Sequence, residues 1–357
     1  MPLSRPPLSP GPGGASAGAP GGERRPWAAG SARRSLLLEV ERLALELRGP
    51  LGGLEEAIIA LVDGEGLPPG LSPEILFEGG MPRMRPVLVV LAGRAAMQVE
   101  ADPQAAFEVA AIAEMLQGAI RLHDVTLGRR DGRRRRAARR VLRGAGSLLG
   151  ANHLTLRALE LARRAPAPEI LGETLELLRD VGAGHALSEA LRTRPATIAD
   201  SLLFAEEHSG ALFAFTCRAG GHLVDAGRPA ITGLGRYGRH VGIAWKLAED
   251  LALFDPSVGG RQLAHNAAAA RPVFPVAWAN AQDPEIDALW RRLGGGGYDA
   301  AVATELTERV RSLGGLGAGR EAMVRETWAA RRALRPFPPS PARDSLDRLA
   351  ASLATAA

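Results

Sequence analysis

Four stretches of this chain place charged side chains where a packed core does not require them. In Glu78-Gly79-Gly80-Met81-Pro82-Arg83-Met84-Arg85-Pro86, two arginines stand just before a helix that proline can start. Arginine at such a start can bind an anion through its own charge and the free backbone N–H groups. A second, apolar helix closes on His123 and Asp124 and leads into residues 129–140, which hold eight arginines in twelve positions. That density sets up a strong positive local field. Glu249, Asp250 and Asp255 gather carboxylates at the end of a third, otherwise apolar helix, and Arg271 precedes a fourth helix start. Arginine's planar fork suits phosphate and carboxylate alike. A solvated loop with no ligand is the competing reading of the arginine run. Nucleic acid is the less favoured polyanion, because the run has no interleaved aromatics and aromatic residues make up only 4% of the chain.

Helices must position these groups. Apolar residues recur at three- and four-residue spacing from Leu36, Val40, Leu43 and Leu47 onward, and strand-like alternation is scarce. The pattern predicts helices over 86–98, 103–125, 145–164, 168–192, 197–224, 234–253, 273–279, 284–293, 300–313 and 319–334. A last helix follows the proline-rich joint at 336–341. Pro68-Pro69-Gly70, Gly227-Arg228-Pro229, Gly259-Gly260 and the glycines at 294–297 act as breakers between them. The fold class is all-α, one domain over 34–357 without internal repeats. Residues 1–33, rich in Pro, Gly, Ala and Ser, are expected to be a disordered tail.

Composition narrows the functional classes. The chain has 357 residues, of which 46% are hydrophobic, enough for a sizeable core. A single cysteine, Cys217, excludes an internal disulfide framework, and a reducing cytoplasm is the expected location. No apolar run approaches the roughly 20 residues of a membrane span. Lys246 is the only lysine, so arginine supplies every other permanent positive charge behind the formal net charge of +5. Seven histidines are scattered without HxxxH or HExxH spacing, which argues against a zinc site.

Six segments fall in a telling order: Gly79-Gly80 with Arg85-Pro86; Leu122, Asp124, Val125, Gly128, Arg133 and Arg134; residues 151–158; residues 208–213; residues 245–253; and residues 270–275. In that order they resemble GGKxxRP, LxHDDxxD with its following RRG, GDxLLxxA, KTAxLF, FQxxDDxxD and GKxTLP of the trans-isoprenyl diphosphate synthases, also called polyprenyl synthetases. The resemblance covers nearly all of the chain after the tail. It implies a single large helical bundle of the isoprenoid synthase type. It also implies a prenyltransferase that joins an allylic diphosphate to isopentenyl diphosphate, with Mg²⁺ bridging the diphosphate to the aspartate-rich motifs. Carried over residue by residue, Asp124, Glu249 and Asp250 are the remnant metal ligands. Arg83, Arg85, Arg133, Arg134 and Arg271 are the candidate diphosphate-binding residues, and Ala119, His123, Asn152 and His208 are placed at the cavity. Ala119 is small where larger residues in active relatives shorten the product.

The departures from the motifs bear on activity. Val125, Gly128 and Leu253 stand where the two aspartate-rich motifs carry carboxylates, and none of the three offers the side-chain oxygen that Mg²⁺ needs. Pro82 and His208 replace two motif lysines, Arg271 replaces a third, and His185 and Ser188 replace the Gln and Asp of GGQxxDL. Losing several placed cations and metal ligands together should slow diphosphate departure by orders of magnitude. No catalytic residue is assigned. The expectation is a weakly active or non-catalytic subunit that binds a prenyl diphosphate or an active homologue, as a homodimer or heterodimer. The alternatives are an active Mg²⁺-dependent prenyltransferase using Asp124, Glu249, Asp250 and Asp131 or Asp255, and an arginine-rich polyanion-binding module on the same fold.

Overall fold

The structure, a computed structural model, describes residues 40, 42–43, 47, 84–127, 137–256, 260–295 and 298–354, with side chains throughout these spans except at 124–145. The expected tail at 1–33, the Gly79-Gly80 pair, Arg83, Arg133 and Arg134 lie outside the described residues. Among the described residues there are helices and no strand. In chain order they are α1 (Met84–Met97), α2 (Pro103–Leu127), α3 (Ala137–Arg164), α4 (Glu169–Ala190), α5 (Ile198–Ala205), a π-helical segment (Glu206–Gly210) and α6 (Ala211–His222). There follow α7 (Arg228–Ala252), α8 (Gly260–Ala268), α9 (Phe274–Asn280), α10 (Glu285–Gly294), α11 (Ala300–Ser312), α12 (Gly315–Ala333) and α13 (Pro341–Ala354).

Local chemistry explains several boundaries. Thr197 caps α5: its hydroxyl accepts from the Asp200 N–H at 3.1 Å, and the Asp200 carboxylate accepts from the Thr197 N–H at 2.8 Å. This reciprocal capping box satisfies two otherwise orphaned donors. Asp299 caps α11 by accepting from the N–H groups of Ala301 and Val302. Three expectations are corrected. α7 begins at Arg228, not Leu234, because Pro229 sits in the first turn, where its missing N–H costs nothing. Residues 197–224 form α5 and α6 joined through the π-helical segment, not one uniform helix. α8 occupies a stretch with no predicted helix, starting on the glycine read as a breaker.

The main core lies between α1, α2, α6, α7, α12 and α13. Val109, Ile112, Met115, Leu116 and Ile120 of α2 are buried, and so are Tyr237, Val241 and Leu247 of α7. A smaller apolar cluster, with Phe254, Leu263, Ile286, Leu306 and Val310, sits under α8–α11. Two glycines of α7 set how closely it approaches its neighbours. A Cβ on Gly238 would stand 2.3 Å from the Phe213 carbonyl oxygen, and one on Gly242 would stand 2.4 Å from that of Ser209. Backbone therefore packs on backbone, and the C-terminal end of α7 is drawn alongside the π-helical segment. Among the described residues no helix is long and apolar enough to cross a membrane.

Cys217 is fully buried on α6, and burial pushes its thiol up to about 12. The thiolate is the reactive form. The native protein should therefore show no titratable thiol with Ellman's reagent at pH 8 and one equivalent once unfolded in guanidinium. Rapid labelling of the native chain would contradict this packing.

Candidate functional site

The C-terminal ends of α2 and α7, the end of α4 and the π-helical segment come together at one end of the bundle. π-helical turns are rare and are often found at functional sites, because the extra residue re-aims the side chains after it. Here the turn carries His208. The imidazole stacks on Phe204, with ring centroids 5.2 Å apart and planes inclined by 22°. His185 of α4 lies edge-on to His208 at 6.4 Å and 5.9 Å from the ring of His123 on α2. Three histidines from three elements thus form a line that ends on Phe204. Ala119 is buried one turn before His123.

Asn152 is different. It is exposed, on the same stripe of α3 as Leu149 and Leu156, themselves 57% and 62% exposed. The spacing of that stripe turns Asn152 outward among the described residues. His153 faces the other way, with Nε2 buried and without a hydrogen-bond partner among the described residues.

The acidic end of α7 is organised by charge pairing. Asp250 is 2% exposed; its Oδ1 pairs with the Lys246 ammonium one turn earlier, and its Oδ2 accepts from the Phe274 N–H of α9 at 2.9 Å. Burial raises the carboxyl above its ordinary value, while the Lys246 charge and the two hydrogen bonds pull it back. Lys246 is itself 7% exposed, and its Nζ stands 5.7 Å from the centroid of the Phe204 ring, the ring on which His208 stacks. Glu249 points outward and accepts from the Trp245 indole N–H at 3.0 Å. Leu253 follows and brings no oxygen. Asp124 falls in the last turns of α2.

The candidate diphosphate arginines separate. Arg85, 5% exposed, meets Glu114 of α2 in a bidentate pair, Nε to Oε1 at 3.0 Å and Nη2 to Oε2 at 2.8 Å. Its charge is balanced before any ligand arrives, and Nη1 is the nitrogen that Glu114 does not use. Arg271 lies at the rim of a cavity of about 250 Å³ whose lining includes Arg192, Arg194 and Arg291, with Asp287 and Trp290. Arg192 and Arg194 come from the α4–α5 connection and Arg291 from α10. Sequence reasoning missed these three, because nothing in their local sequence links them to Arg271. Ala270, just before Arg271, adopts a left-handed φ of 53°. The N–H groups of Ala270 and Arg271 then close the end of α8 on the carbonyls of Ala267 and Asn266.

The described residues form an all-α bundle that brings aromatic and cationic side chains together beside the C-terminal end of α7. Residues 73–306 match the family model described as polyprenyl synthetase, and the chain belongs to that family. It is similar to the (2E,6E)-farnesyl diphosphate synthase of Mycobacterium tuberculosis H37Rv, with 30% identity over 202 residues. That match spans 55% of this chain and 55% of the relative's length. It is also 26% identical to the octaprenyl diphosphate synthase of Escherichia coli K12, over 77% of this chain and 86% of the relative. Among solved structures it shares the fold of a decaprenyl diphosphate synthase from Rhodobacter capsulatus, with a TM-score of 0.72 and 24% identity over 88% of this chain and 98% of that one. A polyprenyl synthase from Caulobacter crescentus complexed with calcium and isoprenyl diphosphate aligns with a TM-score of 0.74 and 23% identity, over 89% and 98% of the two chains.

Mg²⁺ is the cofactor that this family implies. It needs several oxygen ligands in near-octahedral order. Among the described residues no group of three or more His, Cys, Asp or Glu could hold a metal ion, and the side chain of Asp124 lies outside them. At the end of α7 both oxygens of Asp250 already have donors, and Glu249 turns away.

Proposed function

We propose that this polyprenyl synthetase family member serves isoprenoid metabolism as a weakly active or non-catalytic subunit that binds a prenyl diphosphate and pairs with a second family subunit. The observation that carries the reading is the state of Asp250. The buried carboxylate of the second aspartate-rich motif is held by Lys246 and by the Phe274 N–H, and Leu253 replaces the motif's last carboxylate. Diphosphate departure needs concentrated positive charge that is stronger in the transition state than in the ground state. Arg271 and its neighbours offer fixed charge for binding, which lowers the energy of a bound diphosphate without selectively lowering that of the leaving group.

The pairing half of the reading rests on exposed leucines. Leu148, Leu149 and Leu156 of α3 and Leu175 of α4 are 42%, 57%, 62% and 52% exposed. Exposed leucines on two helices that pack together supply apolar surface of the kind an interface covers. A homodimer and a heterodimer with an intact homologue both satisfy it. Arg83, Arg133 and Arg134 remain candidate diphosphate residues, and a cytoplasmic location remains the expectation.

An active, Mg²⁺-dependent prenyltransferase is the second reading, favoured by the names of the relatives, which are diphosphate synthases. One experiment separates the two. Purified protein is given isopentenyl diphosphate with dimethylallyl, geranyl or farnesyl diphosphate and Mg²⁺, beside a Glu249→Ala/Asp250→Ala control. No elongated product from any primer, with geranyl diphosphate still bound in equilibrium dialysis, is the expected result. Chain elongation that the control abolishes would establish the second reading instead.

A further inference from the structure

We infer that Lys246 is a built-in counter-ion that takes the place of a divalent metal at Asp250, so that the second aspartate-rich motif of this chain operates without metal. The sequence places the chain's single lysine at the position where the similar motif FQxxDDxxD writes glutamine. On α7 that position is one turn before Asp250, and residues four apart on a helix face each other. The structure closes the contact: the ammonium lies on Oδ1 of Asp250, and both groups are buried. The other oxygen is held by a backbone N–H from a different helix.

Three consequences of this geometry point the same way. A dication at Asp250 would have to sit beside a fixed ammonium inside the protein, where like charges repel far more than in water. It would also have to displace the Phe274 N–H or share its oxygen. The remaining carboxylate of the motif, Glu249, is exposed and engaged with the Trp245 indole, so it adds no second ligand from the same side. Lys246 also approaches Phe204 at 5.7 Å, and His208 stacks on that ring. His208 occupies a position where the similar KTAxLF motif has a lysine. The positive side chain missing at 208 is thus present at 246 beside the same aromatic ring, now committed to a carboxylate.

The functional consequence, that geranyl diphosphate binds equally well with and without a divalent cation, rests on the proposed function. The counter-ion role does not, so the test has two readouts. Mn²⁺ alone is titrated into the full-length chain and its free concentration is followed by electron paramagnetic resonance. The proteins compared are wild type, Lys246→Gln and Lys246→Gln/Asp250→Asn, each checked for folding by near-ultraviolet circular dichroism. Lys246→Gln is expected to bind Mn²⁺ at least about tenfold more tightly than wild type. The double variant, a neutral pair that keeps the fold, is expected to match wild type. In parallel, geranyl diphosphate binding to wild type is measured in EDTA and in Mg²⁺, with dissociation constants expected to agree within about twofold.

A double variant that binds Mn²⁺ about tenfold more weakly than wild type would make Asp250 a metal ligand and overturn the inference. A folded Lys246→Gln protein with no gain in Mn²⁺ affinity would overturn it too, as would geranyl diphosphate binding that needs Mg²⁺ and is lost in the double variant. Should Lys246→Gln fail to fold, the comparison of the double variant with wild type still decides. If geranyl diphosphate binds under neither condition, the proposed function fails, while the Mn²⁺ titration stands on its own.

Discussion

Arg85→Ala is expected to destabilise the fold by about 3–5 kcal/mol, while Arg85→Met/Glu114→Met is expected to cost far less. The reason is what each variant leaves behind. Glu114 is 2% exposed on α2, and its two oxygens accept from Nε and Nη2 of Arg85. Removing only the guanidinium strands a carboxylate in the apolar core between α1 and α2. Removing both charges removes both desolvation costs and leaves side chains of suitable volume. Urea denaturation measures the outcome as a shift of the midpoint at unchanged slope. A single-variant cost below about 1 kcal/mol would mean that water reaches the pair.

The same two proteins also separate the roles of Arg85. The resemblance makes it a diphosphate-binding residue, whereas the structure makes it a strut between α1 and α2. If Nη1 also holds a ligand, the stable double variant should lose geranyl diphosphate affinity about tenfold or more, because a charge-assisted hydrogen bond to an anion contributes about 1.5–3 kcal/mol. If Arg85 is a strut alone, the affinity should follow wild type.

That dual role shows how far the sequence could be read. The helical bundle was legible because an apolar face repeats every three or four residues for long stretches, as in α2 and α7. Membership in the family followed from six short motifs in order, and the family match over 73–306 bears it out. α8 was hidden: with only nine residues and three of them buried, it has too little apolar face to rise above a glycine-marked loop. The π-helical segment was invisible, since Glu206-Glu207-His208 suits an α-helix as well as a π-turn. The Arg85–Glu114 pair spans 29 residues and joins two helices, so no local spacing announces it. Lys246 lies between these extremes. Its spacing from Asp250 was plain in the sequence, but only burial turns a surface i,i+4 pair of a few tenths of a kcal/mol into a determinant of the site.

Lys246→Met is expected to destabilise the protein by about 3–5 kcal/mol at pH 8 and by much less at pH 5. Without the ammonium, Asp250 keeps only the Phe274 N–H, and burial holds its carboxyl above the ordinary value of 3.8 without the opposing pull of Lys246. The sign follows from proton linkage. A carboxyl whose folded pKa lies above its unfolded one binds the proton more tightly in the folded state. The variant is therefore most stable below the unfolded pKa and loses stability as pH rises through the folded one. Wild type shares the direction but is buffered by Lys246, so the gap between the two proteins should widen with pH. Adding Asp250→Leu to Lys246→Met removes the titrating group, and the double variant should recover most of the loss and keep a constant offset from wild type between pH 5 and pH 8. Denaturation curves of the three proteins at both pH values provide the check. A penalty for Lys246→Met that is the same at pH 5 and pH 8, and that Asp250→Leu does not relieve, would show that the lysine's charge pairing with Asp250 is not what stabilises the fold. The buried pair matters to the site because Asp250, held by Lys246 within α7, also accepts from the Phe274 N–H and so ties the end of α7 to α9.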